Sequence, residues 1–202
     1  MRNHHTVTFP QLASATRQVQ NELQRAGLWN EGNRLLKVDV SLLPTLVSRI
    51  AGGKNVLGFV HMGDPGIFKL LGIQPGHIYI PAKVPGEGWS VLWGKDNPRG
   101  SLRDVLRHEY GHALAYQYPE LVIDSPAFKT AFGGHHDDDT PVAGPDHHFV
   151  SVYAQKEPRE DFAETFMFYL RHKQILPAKH ANRVIAKKWR FIEKLCDRIA
   201  KS

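Results

Sequence analysis

The stretch RHEYGHA, which begins at Arg107, constrains this chain more than any other feature of its sequence. It contains the pattern H-E-x-x-H, formed by His108, Glu109 and His112. Residues four apart on an α-helix project from the same face, so both imidazoles can reach one metal ion. For this composition and length, chance alone gives roughly 0.03 such matches. The other parts of a metal site must therefore be sought elsewhere in the chain.

The residues around the motif predict the helix that would carry it. Ser101 is placed as an N-cap, with Asp104 three residues later in a variant of the capping box. Tyr118 and Pro119 predict the helix end, because a residue before proline disfavours helical backbone angles. The residues spaced for one buried face are Leu102, Val105, Leu106 and Ala113. We therefore expect the motif on a helix that packs against a core.

A pair of glutamates further along the chain provides a candidate for the missing ligand. Glu160 and Glu164 lie four apart after Pro158, a favoured first-turn residue, and thus share one helical face. A catalytic zinc ion needs three protein ligands and one open position. We predict that Glu160 is the third ligand and that Glu164 accepts the N–H of a ligand histidine. The alternative is a solvated acidic first turn, which the helix dipole favours.

Glu109 has a different place from the ligands. On a helix it is rotated by about 100° from His108, too far to bind the ion in the same plane. It is close enough to reach a metal-bound water, where a carboxylate can act as a general base. One zinc ion per chain, with Glu109 beside its open position, is the predicted centre.

The order of elements predicts an α+β fold. An amphipathic helix from Gln11 to Ala26 comes first, and the last helix begins at about Lys179. Between them, the strand-like runs are LLKVDVSLL, NVLGFVHM, GHIYIPAKV and WSVLWG. We expect residues 1–202 to form a single domain, with a small mixed sheet followed by the motif helix, the third-ligand helix and the C-terminal helix.

Composition excludes several classes of protein. No apolar run approaches the roughly 20 residues of a membrane span. The N-terminal residues lack the apolar stretch of a secretory leader, so we expect a cytoplasmic protein, leaderless export, or a leader already removed. The single cysteine, Cys196, excludes an internal disulfide and a cysteine-based zinc site. A buried inert thiol is the favoured interpretation, with a nucleophile as the alternative.

The net charge of +6 lies largely in the last 25 residues. We interpret these residues as a solvated helix face, with a nucleic-acid or membrane contact as the alternative. We expect a monomer that has a peptide or protein as its partner.

The polar loop GGHHDDDTPVAGPDHHF raises further possibilities. His135, His136 and residues 137–139 fit a solvated mobile loop, or else a second cation site. His147 and His148 are near enough in sequence to Tyr153 to face a cleft. Gly133 and Gly134 predict a hinge in a loop that could cover the site.

HEYGH followed some 50 residues later by EDFAE resembles the gluzincin metallopeptidases. With Tyr153 seven residues before Glu160, it is similar to the catalytic domain of anthrax lethal factor and to bacterial Pro-Pro endopeptidases. The resemblance covers roughly residues 101–175. It implies a zincin-like fold, with His108, His112 and Glu160 as zinc ligands.

The resemblance also implies the roles of other residues. Glu109 would be the general base, Glu164 the outer carboxylate, and Tyr153 a phenol near the open side of the metal. For Tyr153, the alternative is a residue that only packs its ring. The strand GHIYIPAKV is the best candidate for an edge strand that binds substrate, because proline is tolerated at an edge. The alternative is that His77–Ile80 is an interior strand that Pro81 closes.

A zinc-dependent endopeptidase is thus the predicted function. One alternative is an SprT-like metalloprotease that acts on proteins bound to nucleic acid; the chain lacks the cysteines of a separate zinc ribbon. The other is a non-catalytic domain with a structural zinc ion, which would have no use for Glu109 beside an open position.

Overall fold

The computed structural model describes residues 4–29, 38–44, 46–47, 57–63, 66–85 and 101–202. Its strands and helices in chain order are β1 (His4–Thr6), α1 (Phe9–Arg25), β2 (Asp39–Leu43), β3 (Phe59–His61), β4 (His77–Pro81), β5 (Lys83–Pro85), α2 (Leu102–Gln117), α3 (Pro126–Phe132), α4 (Pro158–Arg171) and α5 (Arg183–Ala200). Short 3-10 turns lie between several of them. The predicted α+β class is confirmed. The run WSVLWG lies outside the described residues.

Helix α1 begins two residues before the predicted start. Thr8 caps it, and the side chain of Gln11 reaches back to the Thr8 N–H at 2.9 Å, which completes a capping box. Its buried face consists of Leu12, Ala15, Val19 and Leu23. The helix ends at Arg25, and Gly27 then adopts a φ of 76°, a left-handed conformation that glycine reaches without strain.

The described sheet has the order β2-β4-β3. Strand β2 pairs with β4 in parallel, and β3 pairs with β4 antiparallel, so the sheet is mixed, as predicted. Two residues of β4, Ile78 and Ile80, are fully buried in the main core. Strands β1 and β5 form a separate antiparallel pair.

The prediction that GHIYIPAKV is an edge strand is wrong. Strand β4 lies at the centre of the described sheet, and the alternative of an interior strand that Pro81 closes is correct. Pro81 is tolerated because it is the last residue of β4. There the ladder continues through the next amide, and the Ala82 N–H donates to the Leu43 carbonyl at 2.9 Å.

Helices α2 and α4 lie against each other at very short range. A Cβ atom added to Gly111 would lie 3.0 Å from Cα of Ala163, so the glycine of HEYGH is needed for this contact. Tyr110, the preceding residue, is fully buried in the core. The close contact brings the motif histidines of α2 beside the acidic first turn of α4.

Helix α5 begins at Arg183 rather than at Lys179. Ala178–His180 form a 3-10 turn, and Asn182 caps the helix by accepting the N–H groups of Val184 and Ile185. Its buried face includes Ile185, Trp189, Ile192, Leu195 and Ile199. Cys196 is also buried, and burial raises the pKa of its thiol to about 12, which fits the predicted inert cysteine. None of the helices in the described ranges has the length and apolar character needed to cross a bilayer.

Candidate metal centre

Three side chains from α2 and α4 converge at one point. Nε2 of His108 lies 3.1 Å from Nε2 of His112 and 3.1 Å from Oε2 of Glu160. Nε2 of His112 lies 3.5 Å from the same Glu160 oxygen. Among the described residues, this is the only group of at least three His, Cys, Asp or Glu side chains whose ligand atoms lie close enough to hold one ion.

These separations fit a zinc ion. In a tetrahedral centre with zinc–ligand bonds of about 2.0–2.1 Å, the ligand atoms are about 3.3–3.4 Å apart. The observed distances of 3.1, 3.1 and 3.5 Å describe one triangular face of such a tetrahedron. Oε2 of Glu160 is buried, and no group in the described part of the chain donates a well-formed hydrogen bond to it. A cation would supply the partner that this oxygen needs.

Glu164 fixes the orientation of the His108 ring. Its Oε1 lies 2.7 Å from Nδ1 of His108, and its Oε2 accepts a hydrogen bond of 2.6 Å from the Ser151 hydroxyl. When neutral His108 donates its Nδ1–H to Glu164, the lone pair of Nε2 points towards the other two ligand atoms. Glu164 is fully buried, and these two contacts give each of its carboxylate oxygens a polar partner.

The electrostatics of the cluster follow from burial and close opposite charges. Burial opposes ionisation of Glu160, yet the two histidines outweigh it and hold its pKa far below the usual range. Burial lowers the pKa of His108, but Glu160 and Glu164 more than offset this and leave it well above the usual value. The metal-free cluster therefore holds a proton on His108 to higher pH than an isolated histidine does.

Glu109 is not one of the three converging side chains. It is buried, and burial raises the pKa of its carboxyl group, although the two histidines act in the opposite direction. A carboxylate with a raised pKa accepts a proton more readily, which suits a general base. Its position on α2, next to His108, is the one that the sequence predicts.

Tyr153 lies beside His108. The centroids of the two rings are 5.8 Å apart, and Tyr153 begins a 3-10 turn, Tyr153–Gln155. Burial raises the pKa of its phenol, and the nearby carboxylates of Glu160 and Glu109 raise it further. The phenol therefore keeps its proton and can act as a hydrogen-bond donor.

Ser151 is a residue of the site that the sequence analysis missed. Its hydroxyl donates to Glu164 and also accepts the Ala154 N–H at 3.2 Å, within the turn that carries Tyr153. One side chain thus connects the turn to the carboxylate behind His108. A serine two residues before a candidate tyrosine was the available signal, but serines are too common for that spacing to stand out.

In the acidic loop after α3, hydrogen bonds and close contacts join neighbouring residues. The His135 N–H donates to Asp138, and Nδ1 of His136 lies 2.7 Å from Asp137, but no three side chains of this loop are placed around one point.

His147 and His148 are fixed through their carbonyl groups, which accept hydrogen bonds from Asn182 and Lys188 of the α5 region. Gly133 ends α3 in the left-handed conformation; whether it acts as a hinge stays a prediction.

Residues 96–198, about half of the chain, match the family model described as "Putative zinc-binding metallo-peptidase". The chain belongs to this family. The match spans α2 to α5 and so includes every candidate residue of the metal centre. The predicted metallopeptidase is confirmed at the level of the family. No curated protein and no solved structure matches this chain.

Proposed function

We propose that this metallopeptidase is a zinc-dependent endopeptidase, with one Zn²⁺ held by His108, His112 and Glu160. The observation that carries the proposal is the trio of ligand atoms 3.1, 3.1 and 3.5 Å apart, with a buried carboxylate, Glu109, next to it on the same helix. When bound, the ion lowers the pKa of a water molecule to near 7 and polarises the scissile carbonyl.

Glu109 performs the proton transfers of the reaction. Its carboxylate takes a proton from the attacking water and passes it to the nitrogen of the leaving amine. The pKa of Glu109, raised by burial, brings its basicity closer to neutral pH, where both transfers are needed. A purely structural metal site has no use for such a group, and this argues against the non-catalytic alternative.

Tyr153 stabilises the negative charge that develops on the substrate oxygen. Its hydroxyl is protonated, and its ring lies beside that of His108. A preorganised donor of this kind acts mainly on the transition state, because the oxygen carries most charge there. Glu164 and Ser151 hold His108 and the Tyr153 turn in place, so that ligand and donor keep a fixed separation.

Within the metallopeptidases, we assign the centre to the gluzincin type, with the lethal factor and Pro-Pro endopeptidase arrangement. Three features support this assignment. Glu160 is the third candidate ligand. Glu164, one turn further along α4, contacts the candidate ligand His108. Tyr153, seven residues before Glu160, lies beside the ring of the same histidine.

The substrate in this proposal is a peptide or protein, and the chain acts as a monomer. An SprT-like action on nucleic-acid-bound proteins would require a basic surface that contacts phosphates. On α5, the acidic residues Glu193 and Asp197 are exposed between the basic ones, and their negative charges reduce the positive potential that such a surface needs. A DNA-binding assay at increasing salt separates the two, because phosphate contacts weaken steeply with salt.

The proposal is tested by three variants of zinc-loaded protein against a peptide library. Glu109→Gln should keep about one zinc per chain and lose cleavage, since the amide cannot take the proton. His112→Ala should lose both zinc and cleavage. Glu120→Gln, an exposed glutamate beyond the end of α2, is the control and should behave as wild type. Zinc below about 0.2 per chain after reconstitution, or full activity of Glu109→Gln, would refute the proposal.

A further inference from the structure

Gly58, the residue before β3, lies against the side chain of Glu109. A Cβ atom added to Gly58 would lie 3.0 Å from Oε1 and 3.1 Å from Cγ of Glu109. It would also lie 3.0 Å from Cγ1 of Val105, one turn earlier on α2. Contacts this short are tighter than nearly all real Cβ contacts, so a side chain at position 58 requires its neighbours to move by a few tenths of an ångström.

The requirement for glycine here concerns space and not backbone angle. Gly58 is not among the described glycines with a positive φ, so an alanine could adopt its backbone conformation. What an alanine lacks is room between the segment before β3 and the helix face that carries Val105 and Glu109.

We propose that Gly58 is a positioning residue, whose missing side chain sets the place of the Glu109 carboxylate. The inference rests on the proposed role of Glu109 as the general base. The new element is that the segment before β3, which is distant in sequence from α2, determines the position of the Glu109 carboxylate.

The Glu109 side chain is the neighbour that gives way when position 58 is filled. Val105 is fully buried and β-branched, so its χ1 angle has little freedom. The backbone after Gly58 is held by the pairing of Phe59 with Tyr79. The Glu109 carboxylate lies at the end of a longer side chain with more rotatable bonds, and it can swing away from an added methyl group.

The inference is tested with Gly58→Ala and a matched control, Gly63→Ala. A Cβ atom at Gly63 would meet nothing within 4 Å, and this glycine lies in the same described segment. A base misplaced by about 1 Å can cost about 100-fold in rate. We expect Gly58→Ala to lower kcat by about 10- to 100-fold, with KM and zinc content unchanged. Gly63→Ala should match wild type in all three.

Crystal structures of both variants provide a measurement that does not depend on activity. The Glu109 carboxylate should move by at least about 0.5 Å in Gly58→Ala, the tolerance of a catalytic group, and should stay in place in Gly63→Ala. A normal kcat in Gly58→Ala, or a lowered kcat with Glu109 unmoved, would overturn the inference. If wild type cleaves no peptide, the proposed function fails, and the position of the carboxylate alone decides the inference.

The double variant Gly58→Ala/Val105→Ala covers the case in which Gly58→Ala alone folds poorly. Val105→Ala removes the short contact to Val105 and leaves both contacts to Glu109. The double variant should therefore keep a kcat about 10- to 100-fold below that of Val105→Ala alone. Equal kcat values for these two proteins would mean that position 58 acts by packing against Val105, contrary to the inference.

Discussion

The Glu164 carboxylate lies 2.7 Å from Nδ1 of His108 and receives the Ser151 hydroxyl on its other oxygen at 2.6 Å. Carboxylates placed behind a ligand histidine fix its ring and raise its basicity. We therefore expect Glu164→Ala to weaken zinc affinity by about 10- to 100-fold without abolishing the site. Competition with a chromophoric chelator measures this change.

Two comparisons sharpen that measurement. Ser151→Ala removes one donor from Glu164 and should weaken zinc binding less than Glu164→Ala does. Glu160→Ala should remove zinc, because it deletes a proposed ligand. If Glu164→Ala removes the metal completely while Glu160→Ala keeps it, the roles of the two carboxylates are reversed.

Zinc affinity should rise with pH through the neutral range. In the metal-free protein, burial lowers the pKa of His108, but Glu160 and Glu164 outweigh it and raise that pKa well above its usual value, so the ring holds its proton to higher pH than a free histidine. Zinc must displace that proton, and the competition ends only above the pKa of His108. Titration calorimetry at pH 7 in buffers of different ionisation enthalpy should show release of about one proton per zinc. An affinity that is constant between about pH 6 and 8 would contradict this expectation.

Much of the candidate centre could be predicted because its information is local. The helical positions of His108 and His112 follow from a spacing of four, and the capping box of Ser101 and Asp104 sets where α2 begins. The same spacing places Glu160 and Glu164 on one face of α4. Contacts that depend on distant segments left no such pattern. Ser151 behind Glu164 and Gly58 beside Glu109 were found only in the structure.

If Tyr153 has its proposed role, Tyr153→Phe should lower kcat by about 100- to 1000-fold with little change in KM, since it removes the proposed donor to the developing oxyanion. The ring packing beside His108 is preserved in phenylalanine, so zinc content should stay at about one per chain. Steady-state kinetics on a cleaved peptide, together with metal analysis, test both parts. A kcat within about threefold of wild type would mean that Tyr153 only packs its ring.

The buried ion pair between Lys188 and Asp161 should stabilise the contact between α4 and α5. Nζ of Lys188 lies 2.6 Å from Oδ2 of Asp161 and donates to the His148 carbonyl at 2.8 Å. Both side chains are buried. Lys188→Met leaves the carboxylate without its cation, and we expect it to lower the free energy of unfolding by about 3–5 kcal/mol.

Urea denaturation in the presence of a chelator measures this loss without a contribution from zinc binding. The double variant Lys188→Met/Asp161→Leu removes both charges and should recover most of the stability. A double variant no more stable than Lys188→Met would show that another interaction is responsible. The sequence did not indicate this pair, because its members are 27 residues apart on different helices.

The correction of the sheet order changes where we expect substrate to bind. The sequence favoured GHIYIPAKV because a proline is tolerated at an edge, but in β4 it only ends a central strand. Pairing between β2 and β4 joins segments more than 30 residues apart, and neither segment carries a signal for its partner.

We now expect substrate to pair with β3, which follows Gly58 and is one of the two edge strands of the described sheet, the other being β2. Gly58 lies against Glu109, so β3 begins beside the proposed general base. An extended peptide that adds to this edge gains backbone hydrogen bonds and brings its scissile bond near the centre. A crystal structure with a non-cleavable phosphinic peptide tests this directly. Backbone pairing with Phe59 or Val60 would support β3, whereas pairing only with residues 89–94 or the loop 133–148 would refute it.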